Sequence, residues 1–417
     1  MKKPFSWDHH SDQPYQLTDR AFKKAMRRKE LGSLVCTFLS TLLIAPFALL
    51  IQTVLPKRKI STKHFFGMSI DLEREPEQTR SLIDELDVDT LLVRFKLWEM
   101  GRLDTILASL RQYRQKKIIL NIMQDREHIA DLQLLKDDLS TIFEAFGPYV
   151  TSFQIGTTIN RAKWGFFSVH EYLRFFQIAY RLKREKFHGL TLLGPSVIDF
   201  EYHFTIHALF NFFQLKYDGV SALLYVDRRG APEQTQMGYD LISKIDLLDA
   251  LTFLSPKSRR KVYITETNWP ISDTAPYAPT SEHECVDEES YADFMVRYCL
   301  LAFASQKVDA VYWHQLIAPG YGLIDSRQGL RKRSAFYAFK TMLNALGDME
   351  LVSFSHQHGR YTLKAENRTQ KTTALWSMDL QTIDYHTPQL YTDRDGQRHQ
   401  TQRLEIGPSP IYFIEER

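Results

Sequence analysis

Three cysteines in 417 residues are too few for a disulfide framework. No CxxC pair and no HExxH box is present, so the spacings that gather metal ligands are missing, and neither a metal nor another cofactor is expected. The first strand-like run leads into GMSIDLE, not into a glycine-rich phosphate loop. The net charge is only +3, from 53 basic and 50 acidic residues, which gives nucleic acid no footing as a partner. No internal repeat and no low-complexity tract breaks the chain. Cys36 lies in an apolar run. Cys285 and Cys299 are compatible with one bridge or with two free thiols, so the count leaves the redox compartment open.

Charge is missing altogether from residues 31–55, which are mostly Leu, Ile, Val, Phe, Ala, Thr and Ser. A bilayer span needs about 20 such residues. Pro46 inside the run is better tolerated in a membrane helix than in a soluble one. A buried soluble helix and a cleaved signal peptide are the alternatives. The long basic segment before the run, the length of the run and the lack of an A-x-A-like site favour an uncleaved anchor. Six Lys and Arg precede it (20, 23, 24, 27, 28, 29) and four follow (57, 58, 59, 63). That bias places the N-terminus in the cytoplasm and the larger part outside, on the periplasmic side in a bacterium. The expected organisation is a polar, basic, poorly ordered segment 1–30, a membrane anchor 31–55 and a linker 56–63, then a barrel domain 64–348 and a small β-domain 349–417.

From residue 64 the pattern alternates. Apolar strand runs at 64–72, 89–97, 117–124, 151–158, 190–199, 218–226, 261–268 and 309–316 are each followed by a helical period, at 75–86, 102–114, 127–146, 169–187, 202–213, 235–254, 288–306 and 331–346. Continuous apolar strands are those of a parallel sheet covered on both faces. Eight β/α units over roughly 285 residues fit the (β/α)8, or TIM, barrel. A doubly wound open sheet is the alternative, and it would favour the phosphate loop that is missing. After residue 349, short runs at 351–355, 359–365, 372–378, 388–392 and 411–414 read as an antiparallel β-domain.

In such a barrel the functional residues stand where strands end. The second strand ends at Arg94 and Trp98, the fourth at Thr157, Thr158, Asn160 and Trp164, the sixth at Tyr225, the seventh at Glu266 and Trp269, and the eighth at Trp313 and His314. Flat aromatic faces beside hydrogen-bonding groups suit sugar rings, so an oligo- or polysaccharide is the expected partner. A carboxylate leaving a buried strand, as Glu266 does in KVYITETNWP (261–270), needs a partner or a task; a strand-end acid reaching water is the plain alternative.

VRFKLW, ITETNW, VYWHQL, the segment from Tyr321 (YGLIDSRQGLRKRSAFYAF) and the terminal IGPSPIYFIE together resemble the retaining glycoside hydrolases of clan A, nearest their xylosidase- and exopolysaccharide-hydrolase-like branch. The resemblance covers residue 64 to the end. It implies a nucleophile at Glu266, an Arg beside it at Arg94, a Tyr contacting it at Tyr225 and an eighth-strand Trp at Trp313. It also locates a departure. Where these enzymes carry Gly-Asn-Glu, with the Glu as general acid/base, this chain reads Gly156-Thr157-Thr158. Retaining hydrolysis uses two carboxyl groups about 5 Å apart, and a Thr hydroxyl cannot protonate a leaving group at neutral pH. Two readings follow: a membrane-anchored glycosidase or transglycosidase of cell-surface polysaccharide working through Glu266, or a catalytically degenerate sugar-binding scaffold in polysaccharide assembly or export. Asp199, Glu201, Asp227 and His314 are the substitute proton donors within reach in the sequence.

Overall fold

The computed structural model describes residues 6–227 and 230–417. Before the barrel come β1 (Trp7–Asp8), β2 (Gln13–Pro14), α1 (Arg20–Lys29) and α2 (Leu31–Ile51). The eight units follow as β3 (Phe66–Ile70), α3 (Pro76–Leu86), β4 (Thr90–Lys96), α4 (Leu103–Arg111), β5 (Lys117–Met123), α5 (Arg126–Ala130), α6 (Leu132–Phe146), β6 (Ser152–Ile155), α7 (Val169–Glu185), β7 (Leu192–Ile198), α8 (Tyr202–Leu209), β8 (Gly219–Leu223), α9 (Leu241–Leu254), β9 (Val262–Thr267), α10 (Glu288–Ser305) and β10 (Ala310–Trp313). A two-residue pair, β11 (Ile324–Asp325) and β12 (Arg331–Lys332), leads into α11 (Ser334–Ala345). The last six strands are β13 (Glu350–Gln357), β14 (Arg360–Glu366), β15 (Gln370–Ser377), β16 (Gln381–Thr392), β17 (Arg398–Ile406) and β18 (Ile411–Glu416).

The eight expected strands close into one parallel barrel in the order β10-β3-β4-β5-β6-β7-β8-β9. Side chains alternate across each strand. Leu92, Ile119, Leu193, Ala310 and Tyr312 turn inward and form a small cluster of their own, with Tyr263 packed on it. Their neighbours Leu91, Val93, Ile118, Leu120, Val262, Ile264, Val311 and Trp313 belong to the large core between barrel and helices. Above the inner apolar layer, Arg94 continues the inward row of β4. The C-terminal strands form a separate antiparallel sheet, β13-β14-β15-β18-β16-β17.

The N-terminal segment differs from its expectation. Beyond residues 1–5, which lie outside the described residues, it is built of β1, β2 and α1 and lies against the barrel. Asp8 accepts hydrogen bonds from His10 N and Ser11 Oγ, closing the turn between β1 and β2. Asp19 caps α1 by accepting from Phe22 N, and the Phe22 ring packs edge-on to Phe167. Glu30, buried between α1 and α2, accepts from Ser168 Oγ at the start of α7.

The apolar run forms α2, a 21-residue helix, about 31 Å long and long enough to cross a membrane. One face lies along α7, α8 and α9. Ser33, Thr37 and Ala48 are buried there, and Thr37 Oγ hydrogen-bonds His207 Nδ1 at 2.7 Å. The other face exposes Phe38, Leu42, Leu43, Phe47 and Leu50. At its far end Lys307 Nζ donates to Gln52 O, and Arg58 pairs with Asp309 below β10. Both flanks of the helix are thus held on one body.

Candidate active site

Arg94 and Glu266 meet at the C-terminal mouth of the barrel. The pairing of β9 with β10 explains how Glu266 gets there. Ile264 is opposite Val311, but Thr267 is opposite Trp313, so β9 carries one extra residue over that step. Thr267 therefore faces outward with Trp313, and the bulge turns Glu266 toward the axis. Arg94 Nη2 donates to Glu266 Oε2 at 2.6 Å, and Tyr225 Oη donates to Glu266 Oε1 at 2.6 Å. Both carboxylate oxygens are thereby held, and the side chain is only 12% exposed. Burial by itself would raise the Glu266 pKa. The Arg94 charge, with the hydrogen bonds from Tyr225 and Arg94, outweighs burial and holds it below the ordinary carboxylate value. Glu266 is an anion at neutral pH.

A cavity of about 600 Å3 opens above this pair and brings together Arg94, Thr158, Asn160, Trp164, Tyr225, Glu266 and His314. That volume is in the range of small-molecule sites. His314 is buried, its Nδ1 lies 3.1 Å from Ser69 Oγ, and its ring stacks on Tyr321. Burial, helped by the Arg94 charge, pushes its pKa down to about 3, so it holds no proton to give at neutral pH. Asn160 lines the cavity, but its amide is taken up by Ile198 O, Ile198 N and Glu201. Thr158 faces the cavity from a left-handed conformation, φ 50°.

Other expected residues lie elsewhere. Thr157 is fully buried, its N–H donating to Gln124 Oε1. Trp269 and Trp313 are 0% exposed and stack on each other 5.8 Å apart. Trp313 donates to Tyr291 Oη and Trp269 to Gly230 O. The physical reason is strand alternation: with Tyr312 and His314 inward, Trp313 must face the helices. These two rings pack behind the site and offer no face to a sugar. Trp98 stands at the rim, where the Trp7 ring lies 5.3 Å from its own.

Among the sequence's candidate proton donors, Asp199 and Glu201 are ion-paired with Arg161, and Asp227 is exposed outside the cavity wall. The carboxylate that meets Arg94 beside Glu266 is Asp12, from the N-terminal arm, whose Oδ2 accepts from Arg94 Nη1 at 3.0 Å. Asp12, Ser11, Gln13, Lys163, Asn268 and Tyr321 are also part of the wall. The one signal for the arm was Trp7 next to Asp8 in an otherwise basic, polar stretch.

No family model matches the sequence, and no curated protein matches it. Solved structures do. A family 39 glycoside hydrolase from Bacteroides cellulosilyticus superposes with a TM-score of 0.64 at 13% identity, over 85% of this chain and 81% of its own. A family 30 endoxylanase from Clostridium papyrosolvens gives 0.59 at 11%, over 87% and 97%. A family 39 β-xylosidase from Caulobacter crescentus gives 0.58 at 11%, over 87% and 98%. Others are of families 51 and 86. At such identities the likeness is one of architecture, and the fold of this chain is that of the barrel glycoside hydrolases of clan A.

Proposed function

We propose that the cleft binds a saccharide and that Glu266 is a retaining nucleophile. The observation that carries this is the carboxylate itself, fixed on both oxygens by Arg94 and Tyr225 at the base of the cavity. In the first step one Glu266 oxygen bonds to the anomeric carbon as the bond to the leaving oxygen breaks. The leaving group departs with the electron pair. Water then attacks the same carbon, loses a proton to bulk solvent and frees Glu266 as the carboxylate. A saccharide acceptor in place of water gives transglycosylation.

With Thr158 where an acid would stand, the leaving group is not protonated by the site. General acid catalysis contributes on the order of 10²–10⁴-fold, so only leaving groups that are stable as anions depart at a useful rate. A mechanism-based fluorosugar should esterify Glu266, read as a mass increment on the peptide that carries it. Glu266→Gln should lower turnover of an activated aryl glycoside by about 10³-fold or more. Neither labelling nor turnover across a broad panel of such glycosides would remove the catalytic reading.

The second reading, a sugar-binding protein without turnover, is favoured by one observation: Asp12, the carboxylate next to Glu266, is engaged in an ion pair with Arg94 at 3.0 Å. Saccharide binding without chemistry in the same panel selects it. For either reading we propose membrane association through α2, supported by its length and by its exposed apolar face.

A further inference from the structure

The N-terminal arm brings to the cleft two groups of the kind a saccharide would bring. The Trp7 ring lies 5.3 Å from Trp98 and 5.7 Å from Trp164, on the rim aromatics. Asp12 sets a carboxylate on Arg94, next to Glu266. Gln13, directly after Asp12, ties the arm down by its side chain: Gln13 Nε2 donates to Pro279 O at 2.9 Å, and Lys163 Nζ donates to Gln13 Oε1 at 2.6 Å.

The cavity left beside the arm is unevenly charged. Lys23, Arg27 and Lys163 line it, and among the described residues none of them has a carboxylate within ion-pair distance. Glu284 is the one acid of the wall in the same position. Lys163 is half-buried, and burial together with nearby Arg161 lowers its pKa despite the opposing influence of Asp8. A partly desolvated ammonium whose nearest acceptor is an amide oxygen is costly, and an anion relieves it.

We propose, building on the glycan-site reading above, that the arm is an internal mimic of an acidic saccharide, and that the ligand of the cleft is a glycan carrying carboxylate groups that displaces the arm as it binds. A neutral glycan can put a ring on Trp98 and Trp164. It cannot replace the Asp12 carboxylate on Arg94, and it leaves Lys163, Lys23 and Arg27 unpaired. The arm is tethered through α1, so it competes at an effective concentration in the millimolar range typical of short linkers.

The test titrates the full chain and its Trp7→Ala/Asp12→Asn variant with oligogalacturonate and with a xylo-oligosaccharide of equal length. Oligogalacturonate should bind the variant on the order of tenfold tighter than the parent. The binding should weaken with added salt. Lys163→Gln in the variant background should lose much of that gain, and acrylamide should quench tryptophan fluorescence more strongly in the variant than in the parent. Equal affinity and equal quenching in parent and variant overturn the mimic. Xylo-oligosaccharide binding as tight as oligogalacturonate overturns the acidic ligand while keeping the glycan site. No binding of either sugar to either chain overturns the glycan site and this proposal together.

Discussion

At the scale of single residues the proposed reading makes the site a nucleophilic carboxylate without a partner acid. Glu266 has the contacts of a group kept ionised: Arg94 on one oxygen, Tyr225 on the other. Thr158 lines the cavity where the proposed reading would put the acid, and its hydroxyl cannot serve as one. It is β-branched and sits at φ 50°, a conformation costly for such a residue. Glu is not β-branched, so Thr158→Glu adds no backbone penalty and points a carboxyl into the cavity. Hydrolysis of an unactivated glycoside should rise by about 10²-fold or more in Thr158→Glu. The pH profile should change with it. In the parent the acid limb follows Glu266 and lies below the ordinary carboxylate pKa; the variant should gain a basic limb as the new acid ionises. His314 makes a separate claim on stability. It titrates near 6.5 when unfolded and at about 3 when folded, so the unfolded chain binds the extra proton between those values. Stability therefore falls as pH drops through that window, by up to about 1.4 kcal/mol per pH unit. His314→Gln should flatten the slope of urea-unfolding free energy against pH by one proton's worth; an unchanged slope would mean that His314 is not held neutral.

At the scale of elements, all eight barrel strands were readable because each is a short apolar run between helical periods. Their ends were less readable, since a register shift is invisible in composition. The bulge that turns Glu266 inward depends on which β10 residue faces which β9 residue. The same pairing sends Trp313 outward, so a rim made of every strand-end aromatic was too generous. The helix expected at 127–146 is two, α5 and α6, because Asp131 is extended and caps α6 by accepting from Gln133 N and Leu134 N. Strand β17 escaped the reading because only Leu404 and Ile406 of its nine residues are buried. The arm escaped because its contacts are long-range: Gln13 and Pro279 are 266 positions apart. A core role for Trp313 predicts a core result. Trp313→Ala should cost roughly 3–5 kcal/mol in denaturant unfolding, as large aromatic truncations do. The folded fraction should keep the parent's saccharide Kd, whereas a sugar-stacking Trp would lose affinity first and stability little.

At the scale of the whole molecule, α2 decides how the barrel meets its surroundings. A helix that crosses a bilayer separates the segments on either side of it. Here residues 7–14 sit in the cleft at one end of α2, and Arg58 pairs with Asp309 at the other. In this arrangement both flanks of the helix rest on one body, and the helix turns one face outward. That face is continuous and apolar: Leu31, Phe38, Leu42, Phe47 and Leu50 are each at least 60% exposed. Exposed apolar area of that kind in one stripe marks a contact surface. The bilayer interface accommodates a helix lying in its plane with one side in water-facing protein. The full chain should therefore float with phosphatidylcholine/phosphatidylglycerol vesicles in a density gradient. Phe38→Lys/Leu42→Lys/Phe47→Lys should remain with the soluble fraction while unfolding at the parent's denaturant midpoint, since none of the three side chains is packed on the barrel. A protease added outside sealed vesicles then separates the two geometries. Cleavage of the arm and of the barrel together means that α2 lies on the membrane as it lies on the barrel. Protection of the arm alone means that α2 crosses, and that Asp12 has left Arg94 to let it do so.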